Sequence, residues 1–252
     1  MAQLFTTFLY QPLLNLLVFF YNVVPGNDIG VAIILLTVVI KLILFPFSKQ
    51  SIKGQKALQQ LQPKINEIKK KYADNKEQQA KELMDLYKNE KVNPLSSCLP
   101  LLIQLPLLIA VFQVFKNGLG ASNLDLLYPF ISNPGQLNSV SLGFLNLANP
   151  NVVLAVLAGA GQFWQAKMLS TKKAPIKTPG AKDEDMMAMM NKQMLYFMPI
   201  MTVFIGVSLP GGLVLYWLVI TLLTILQQRL VFNQESDNSQ PPIIIEGEKI
   251  NN

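Results

Sequence analysis

The residues of this chain that could do chemistry are polar side chains set inside apolar stretches. Lys41 is the only charged residue between positions 29 and 47, and Thr37 precedes it by one helical turn on the same face. Two further apolar stretches contain Gln104, Gln162 and Gln165. A lysine inside hydrocarbon costs roughly 2.5–3.5 kcal/mol on insertion scales. The chemistry that such residues offer is the solvation and recognition of polar groups within a membrane.

Two interpretations of Lys41 stay open on the residues alone. At 1.5 Å per residue it lies about 9 Å from the inner end of its stretch, so its side chain could snorkel to the cytoplasmic surface as a topology anchor. Phe45, Pro46 and Phe47 lengthen that route, and Thr37 continues the polar stripe deeper. Such a stripe requires a wet cavity or a partner helix, which favours a functional charge. The glutamines have a simpler interpretation as well, as hydrogen-bonding residues between helices.

No known catalytic motif accompanies these residues in the sequence. The chain has no histidine and one cysteine, Cys98, so neither a disulfide framework nor a cysteine metal site is available. It has no GxxxxGK[ST] phosphate loop, and GVSLP (206–210) has proline where a hydrolase GxSxG has its last glycine. We therefore expect a protein that is not an enzyme in the sense of bond chemistry, with no cofactor and no metal.

The elements that must position the polar residues are membrane-spanning helices. Hydrophobic residues make up 51% of the chain and charged residues 14%, which is typical of a polytopic membrane protein. A span needs about 20 mainly apolar residues. The stretches close to that length are 29–47, 95–115, 152–168, 194–208 and 213–231. The sequence therefore predicts five transmembrane helices, the last two joined by a tight SLPGG turn.

The distribution of lysine predicts the orientation. Eleven lysines lie in 48–96 and five in 170–193, whereas 1–27 and 118–148 contain no basic residue. By the positive-inside rule, the two basic segments and the C-terminus are cytoplasmic and the N-terminus is outside. This alternation also argues against DNA as a partner, although the net charge is +6.

Two further helical elements are predicted outside the spans. Segment 1–27 predicts an external amphipathic helix with a polar stripe, and we favour a surface helix over a sixth span. That stripe contains Thr7, Gln11, Asn15 and Asn22. Segment 48–94 predicts an antiparallel helical hairpin, with Pro63 at the start of its first helix. The apolar positions of the hairpin are Leu58, Leu61, Ile65, Ile68, Tyr72, Ala80, Leu83 and Tyr87. The alternative to the hairpin is a solvated linker. Residues 233–252 are predicted to form a disordered cytoplasmic tail.

The sequence resembles the YidC family of membrane protein insertases, which has mitochondrial and chloroplast relatives. The resemblance rests on GVAIILLTVVIKLILFPFSKQSIK, LQPKINEIKKKY, LYKNEKVNPLSSCLPLLIQLPLLIAVFQVF, MLYFMPIM and LPGGLVLYWLVITLLTILQQRL. It implies a core at 28–232 whose five helices enclose a hydrophilic groove, open to the cytoplasm and to lipid. The groove residues implied are Lys41 at the family's usual arginine position, Thr37, Trp217 after Tyr216, and Gln162. We expect Gln104, Gln165 and Tyr216 to line the same groove. Lysine can lose its proton when desolvated, so this substitution requires a wet groove.

The resemblance implies an insertase and chaperone of a bacterial plasma membrane, without nucleotide use. The implied partners are nascent membrane proteins and the lipid bilayer. The ribosome, through the lysine-rich loops, and the Sec translocon with its targeting machinery are candidate partners. The acidic tail departs from the basic tails of many relatives, which argues against strong tail-mediated ribosome docking. Two rival functions stay open, a small channel or transporter subunit and a non-catalytic assembly scaffold.

Overall fold

The computed structural model describes residues 2–93, 99–118, 124–169 and 193–237, and most of these residues are helical. The helices are α1 (Ala2–Phe5), α2 (Gln11–Val23), α3 (Ile29–Ile43), α4 (Phe45–Lys71), α5 (Lys76–Asn89), α6 (Leu99–Gly118), α7 (Val152–Leu169), α8 (Met198–Gly206) and α9 (Gly211–Asp237). π-Helical turns at Thr6–Tyr10 and Gln193–Phe197 precede α2 and α8. Two short antiparallel strands, β1 (Val140–Ser141) and β2 (Leu145–Asn146), follow a 3₁₀ turn at Leu124–Leu126.

Three helices of the described residues are long and apolar enough to cross a bilayer: Gln3–Val23, Val152–Leu169 and Gly211–Asn233. α3 and α4 meet the same test only as a pair bent by 68°. The apolar helices at Leu102–Lys116 and Leu195–Gly206 are shorter. By length and composition, the described part of the chain thus has three spans, or four with the bent pair. A multi-pass helical fold is confirmed, and the count of five stays a prediction, with residues 95–98 of the second predicted span outside the described part.

α3 ends earlier than the predicted first span because Pro46 cannot continue it. The span was predicted to run to Phe47, but α3 ends at Ile43 and the chain bends at Leu44. Proline at 46 has no N–H for the carbonyl of residue 42, and its ring would clash with that carbonyl in a continuous helix. Pro46 is accommodated in the first turn of α4 instead.

The position predicted for Pro63 was wrong. It was expected to begin a hairpin helix, but it lies inside α4, which starts 18 residues earlier at Phe45. Pro63 is exposed, so water can bond the carbonyl of residue 59 that loses its helical partner. A second boundary differs at the C-terminal side. α9 runs to Asp237, so residues 233–237 are helical rather than part of a disordered tail, and 238–252 lie outside the described residues.

α4 and α5 pack side by side in opposite directions. Leu61 and Ile65 are buried, and Tyr72, Leu83 and Tyr87 are half-buried. The Gln79 amide donates to the Lys69 carbonyl at 3.0 Å, and Lys64 pairs with Glu90 at 2.5 Å. The contact nearer the end of α4, at Lys69, is with the start of α5, and the earlier one, at Lys64, is with Glu90 just beyond its end. The two helices are therefore antiparallel. Ala80, predicted in the contact, is exposed, and the neighbouring Gln79 is buried there because its amide reaches α4.

The polar stripe of α2 faces the connection between α6 and α7. Asn15 is buried, and its Nδ2 donates to the Leu126 carbonyl at 3.0 Å while its Oδ1 accepts from the Tyr128 amide at 2.6 Å. Gln11 donates to the same carbonyl at 3.1 Å. The stripe therefore holds the connection against the helix. Because Gln3–Val23 is long enough to cross a bilayer, a surface position for this segment stays a prediction.

Asp28 fastens the start of α3 to the β1–β2 turn. Its carboxylate caps α3 by accepting from the Val31 amide at 3.0 Å, and it accepts from Ser141 Oγ at 2.6 Å and the Leu142 amide at 2.5 Å. Burial alone would raise the pKa of Asp28, but these bonds and one from Gly30 outweigh it, so the pKa is lowered. The carboxylate is thus held ionised at the end of α3 away from Lys41.

Small residues let the core helices approach closely. The core cluster draws on α2, α3, α6, α7 and α9 and includes Leu14, Ile33, Val111, Ala155 and Val214. A Cβ on Gly159 of α7 would lie 3.0 Å from the Pro199 carbonyl oxygen of α8. A Cβ on Gly206 of α8 would lie 3.0 Å from that of Ala155. α7 and α8 therefore pack almost backbone to backbone, the use expected of glycine between membrane helices.

Candidate functional site

Lys41 lies in the last turn of α3 and contacts α9. Its Nζ donates to Thr224 Oγ1 at 2.9 Å, and it is half-buried. The Thr224 hydroxyl donates in turn to the Ile220 carbonyl at 2.7 Å. The hydroxyl proton is therefore directed away from the ammonium, and the oxygen lone pair faces it. This arrangement holds a cation at the contact between the two helices.

Thr37 lies one turn before Lys41 but is fully buried. Its hydroxyl donates to the Ile33 carbonyl at 2.6 Å, within its own helix. A threonine in a membrane helix commonly satisfies its hydroxyl in this way. The structure therefore places Thr37 in the packed part of α3, and the polar stripe reaches an accessible surface only at Lys41.

Gln104 and Tyr216 join α6 to α9. The Gln104 Nε2 donates to the Tyr216 hydroxyl at 2.8 Å, and Tyr216 is completely buried. Trp217 follows on α9 and is half-buried, and its carbonyl accepts from the Thr221 hydroxyl at 2.8 Å. The predicted residues on these two helices are thus brought together as one hydrogen-bonded pair with an aromatic neighbour.

Gln162 joins α7 to α8, where its Oε1 accepts a hydrogen bond from the Thr202 hydroxyl. Thr202 is buried. Gln165 lies three residues further along α7 and is half-buried. The structure therefore gives Gln162 the interhelical role that was the simpler interpretation of each glutamine.

Gln227 and Gln228 add buried acceptors about one turn beyond Thr224. The Gln227 Nε2 donates to the Phe45 carbonyl at 3.2 Å, where α3 gives way to α4. The Oε1 atoms of Gln227 and Gln228 accept no hydrogen bond from any residue in the described ranges. A buried amide oxygen without a partner costs about 1–3 kcal/mol. A bound water or polar group that donates a hydrogen bond to either oxygen would remove this cost.

Sequence reasoning missed most of the partners of the predicted residues. Thr202 and Thr224 were not singled out, nor were Gln227 and Gln228. A signal for Thr224 was present, since Thr221, Thr224 and Gln228 recur at three and four residues within a largely apolar stretch. That pattern marks one polar face of α9 but does not say which helix it meets.

The comparisons with known proteins agree with this architecture. A family model described as "60Kd inner membrane protein" matches residues 19–238. A Fusobacterium nucleatum protein named membrane protein insertase YidC is 34% identical over 230 residues, which cover 90% of this chain and 98% of that protein. The chain belongs to the YidC family. Together with the apolar helices, this makes it a multi-pass protein of a bacterial inner membrane.

Other YidC relatives are longer than this chain. The Nitratidesulfovibrio vulgaris insertase YidC is 37% identical over 221 residues, covering 88% of this chain but 38% of its own length. A crystal structure described as an active YidC insertase with its first transmembrane domain resolved has a TM-score of 0.54 and 26% identity. That match covers 82% of this chain and 42% of the other. The shared part is therefore the helical core at 19–238 and not the whole of the longer relatives.

Proposed function

We propose that this chain inserts membrane proteins into the bilayer and helps them fold, through a positively charged hydrophilic groove open to the cytoplasm. The observation that carries the proposal is the placement of Lys41, whose ammonium Thr224 holds at the contact between α3 and α9. Gln227 and Gln228, one turn beyond Thr224 on α9, have buried amide oxygens without a partner among the described residues, and a bound polar group or water would satisfy them. Relatives that share the core are named insertases.

The mechanism follows from the cost of moving polar groups through hydrocarbon. A substrate's outer tail must leave water, and an aqueous groove reaching partway across shortens that low-dielectric path. Lys41 attracts acidic residues in the tail. The apolar segment of the substrate then moves sideways into lipid, and burying about 20 apolar residues drives the step without a nucleotide. The groove acts by solvation and charge, not by bond chemistry.

The proposed topology assigns roles to the remaining elements. In it the N-terminus is outside, five spans surround the groove, and the C-terminus is cytoplasmic. The antiparallel pair of α4 and α5 is then a cytoplasmic hairpin that meets the incoming chain. Its lysines provide a surface for the ribosome, and the Sec translocon is a further candidate partner. Burial on the hairpin, with Lys76 nearby, lowers the pKa of Lys69, so this surface is not uniformly solvated.

A reconstitution experiment tests the proposal. Purified protein in liposomes is presented with a single-span substrate bearing an acidic outer tail, and protease-protected substrate is measured. Wild type and Lys41→Arg should insert it, and Lys41→Ala should lose most of the yield. Lys116→Ala, which removes one exposed cation at the far end of α6, is the matched control.

The same liposomes separate the rival functions. Insertion without ion or solute leakage supports the groove, whereas leakage that depends on Lys41 without protected substrate would show a channel. Unchanged insertion by Lys41→Ala, both in liposomes and in cells, would refute the mechanism. Binding of substrate without protection would leave only the scaffold.

A further inference from the structure

The single arginine of the chain stacks on a tryptophan. The chain has 21 basic residues, and all except Arg229 are lysines. The guanidinium of Arg229 on α9 lies 4.9 Å from the centre of the Trp164 ring on α7. Arg229 is exposed, and Trp164 is 50% exposed. A cation over an aromatic face is attracted by the negative charge of the ring face, which favours one orientation of the guanidinium.

A second cation lies beside this pair. Lys167 is exposed and follows Trp164 by three residues on α7, and its Nζ lies 6.0 Å from the centre of the Phe163 ring. Side chains three and four residues apart on a helix are neighbours. Phe163, Trp164, Lys167 and Arg229 therefore form one basic aromatic surface, which we call the Arg229 patch.

The patch is charged without an internal counterion in the described part of the chain. α7 contains no acidic residue, and neither Arg229 nor Lys167 forms an ion pair with a described carboxylate. The ring covers only one face of the guanidinium, so its N–H edges stay available. A planar guanidinium binds phosphate through two parallel hydrogen bonds, and an adjacent ammonium adds charge. The chemistry of the patch therefore suits a phosphate.

The surroundings of the patch are apolar and face outward. Exposed Leu226 and Leu230 flank Arg229 on α9, and exposed Val153 and Leu157 lie on α7. Both helices are long and apolar enough to span a bilayer, and the patch lies near the C-terminal end of the apolar part of each. A ligand that places a phosphate on the patch can thus lay hydrocarbon along these side chains.

We propose that the Arg229 patch binds the phosphate of an anionic phospholipid headgroup. The phosphate accepts from Arg229 and Lys167, Trp164 lies at the level of the headgroup, and the acyl chains follow the exposed side chains of α7 and α9. Under the proposed topology this is the cytoplasmic leaflet, whose anionic lipids attract basic residues near the membrane surface. The proposal does not depend on insertase activity, since it concerns a surface distinct from Lys41.

Native mass spectrometry of the full chain tests this site. Protein is released from detergent micelles with equal amounts of phosphatidylglycerol and phosphatidylcholine, and the fraction retaining each lipid is measured. Wild type should retain phosphatidylglycerol preferentially. The double variant R229Q/K167Q should reduce that retention about tenfold, and R229K, which keeps the charge but loses the paired donors, should fall between them. K88Q removes one exposed cation from α5 and should behave as wild type.

Three further arms decide the outcome. Monodisperse elution and an unchanged near-ultraviolet spectrum for R229K, with reduced retention, would support the site independently of folding defects. Equal retention by R229Q/K167Q and K88Q would overturn it. Displacement of phosphatidylglycerol by millimolar inorganic phosphate would overturn the lipid assignment and leave a site for free phosphate.

Discussion

Lys41 and Thr224 form a hydrogen bond of 2.9 Å between α3 and α9, across 183 residues of sequence. The threonine hydroxyl accepts this bond and donates its own proton to the Ile220 carbonyl. The lysine is therefore the donor, and the threonine oxygen fixes the position of the ammonium. A lysine side chain has four rotatable bonds, and fixing its end costs entropy that a hydrogen bond offsets. The position of the charge is therefore a property of both helices.

Replacing Thr224 by valine should weaken insertion while the protein stays folded. Valine keeps the shape of threonine but offers no acceptor, and a hydrogen bond to a charged group contributes about 1.5–3 kcal/mol. We expect the initial rate of insertion in liposomes to fall roughly tenfold or more. Thr224→Ser should restore most of the rate.

Thr221→Val is the matched control for Thr224→Val. Thr221 is also on α9, and its hydroxyl likewise donates to the carbonyl four residues earlier. The hydrogen bond from Lys41 goes to Thr224 and not to Thr221. Its rate should stay close to that of wild type. Equal losses for the two valine variants would show that Thr224 acts only through helix structure.

Gln104 and Tyr216 should show a direct energetic coupling. Interhelical hydrogen bonds in membranes contribute about 0.6 kcal/mol on average and up to roughly 1.7 kcal/mol. A double-mutant cycle with Gln104→Leu and Tyr216→Phe, measured by unfolding in mixed micelles, should give a coupling of about 1 kcal/mol. The pair Gln104→Leu and Tyr21→Phe should be additive, because buried Tyr21 accepts from the Asn138 amide instead. A coupling near zero in the first cycle would contradict the bond.

The class of the fold could be predicted from the sequence, and the polar residues inside apolar stretches could be identified from it. A charge or amide in an apolar run is conspicuous in any reading because hydrocarbon penalises it. Its partner is not, since Thr224 and Thr202 are common residues of membrane helices and their pairing depends on how helices cross. Only a resemblance, not a spacing, selected Trp217.

The wrong boundaries have a physical explanation too. A proline can begin a helix, kink it or lie exposed inside it, and the neighbouring residues in the sequence do not determine which of these occurs. Pro46 ended α3 where a continuous span was expected, and Pro63 was tolerated where a new helix was expected. At Pro63 the exposed position lets water bond the freed carbonyl, and that exposure depends on tertiary structure.

Gly159→Ala should destabilise the protein, unlike the neighbouring Gly161→Ala. The added Cβ at 159 would meet the Pro199 carbonyl at 3.0 Å and the Val203 side chain, so α7 and α8 would have to separate. At 161 the nearest atom is Thr221 Cγ2 at 3.4 Å, an ordinary contact. Alanine in a helix is otherwise favoured over glycine by about 0.5–1 kcal/mol. Unfolding free energies should therefore fall by about 1–3 kcal/mol for the first variant and stay level or rise for the second.

Asp28 should make stability depend on pH in the acid range. Asparagine can still cap α3, so Asp28→Asn chiefly weakens the bonds to Ser141 and Leu142, at a cost of about 1–2 kcal/mol. Because the folded pKa lies below the unfolded value of about 3.9, the contribution of the carboxylate is fully present above roughly pH 5. It is lost as the pH falls through the folded pKa.

Detergent-solubilised wild type and Asp28→Asn should therefore differ in unfolding free energy by a constant amount from pH 7 to about pH 5. The difference should shrink below about pH 4, where the wild-type carboxylate takes up a proton. Asp125→Asn removes an exposed carboxylate from the connection between α6 and α7, which also contains the β1–β2 turn. This variant should change the unfolding free energy little at any pH. A gap between wild type and Asp28→Asn that widens on acidification would mean that burial, and not the donors of the β1–β2 turn, dominates the carboxylate.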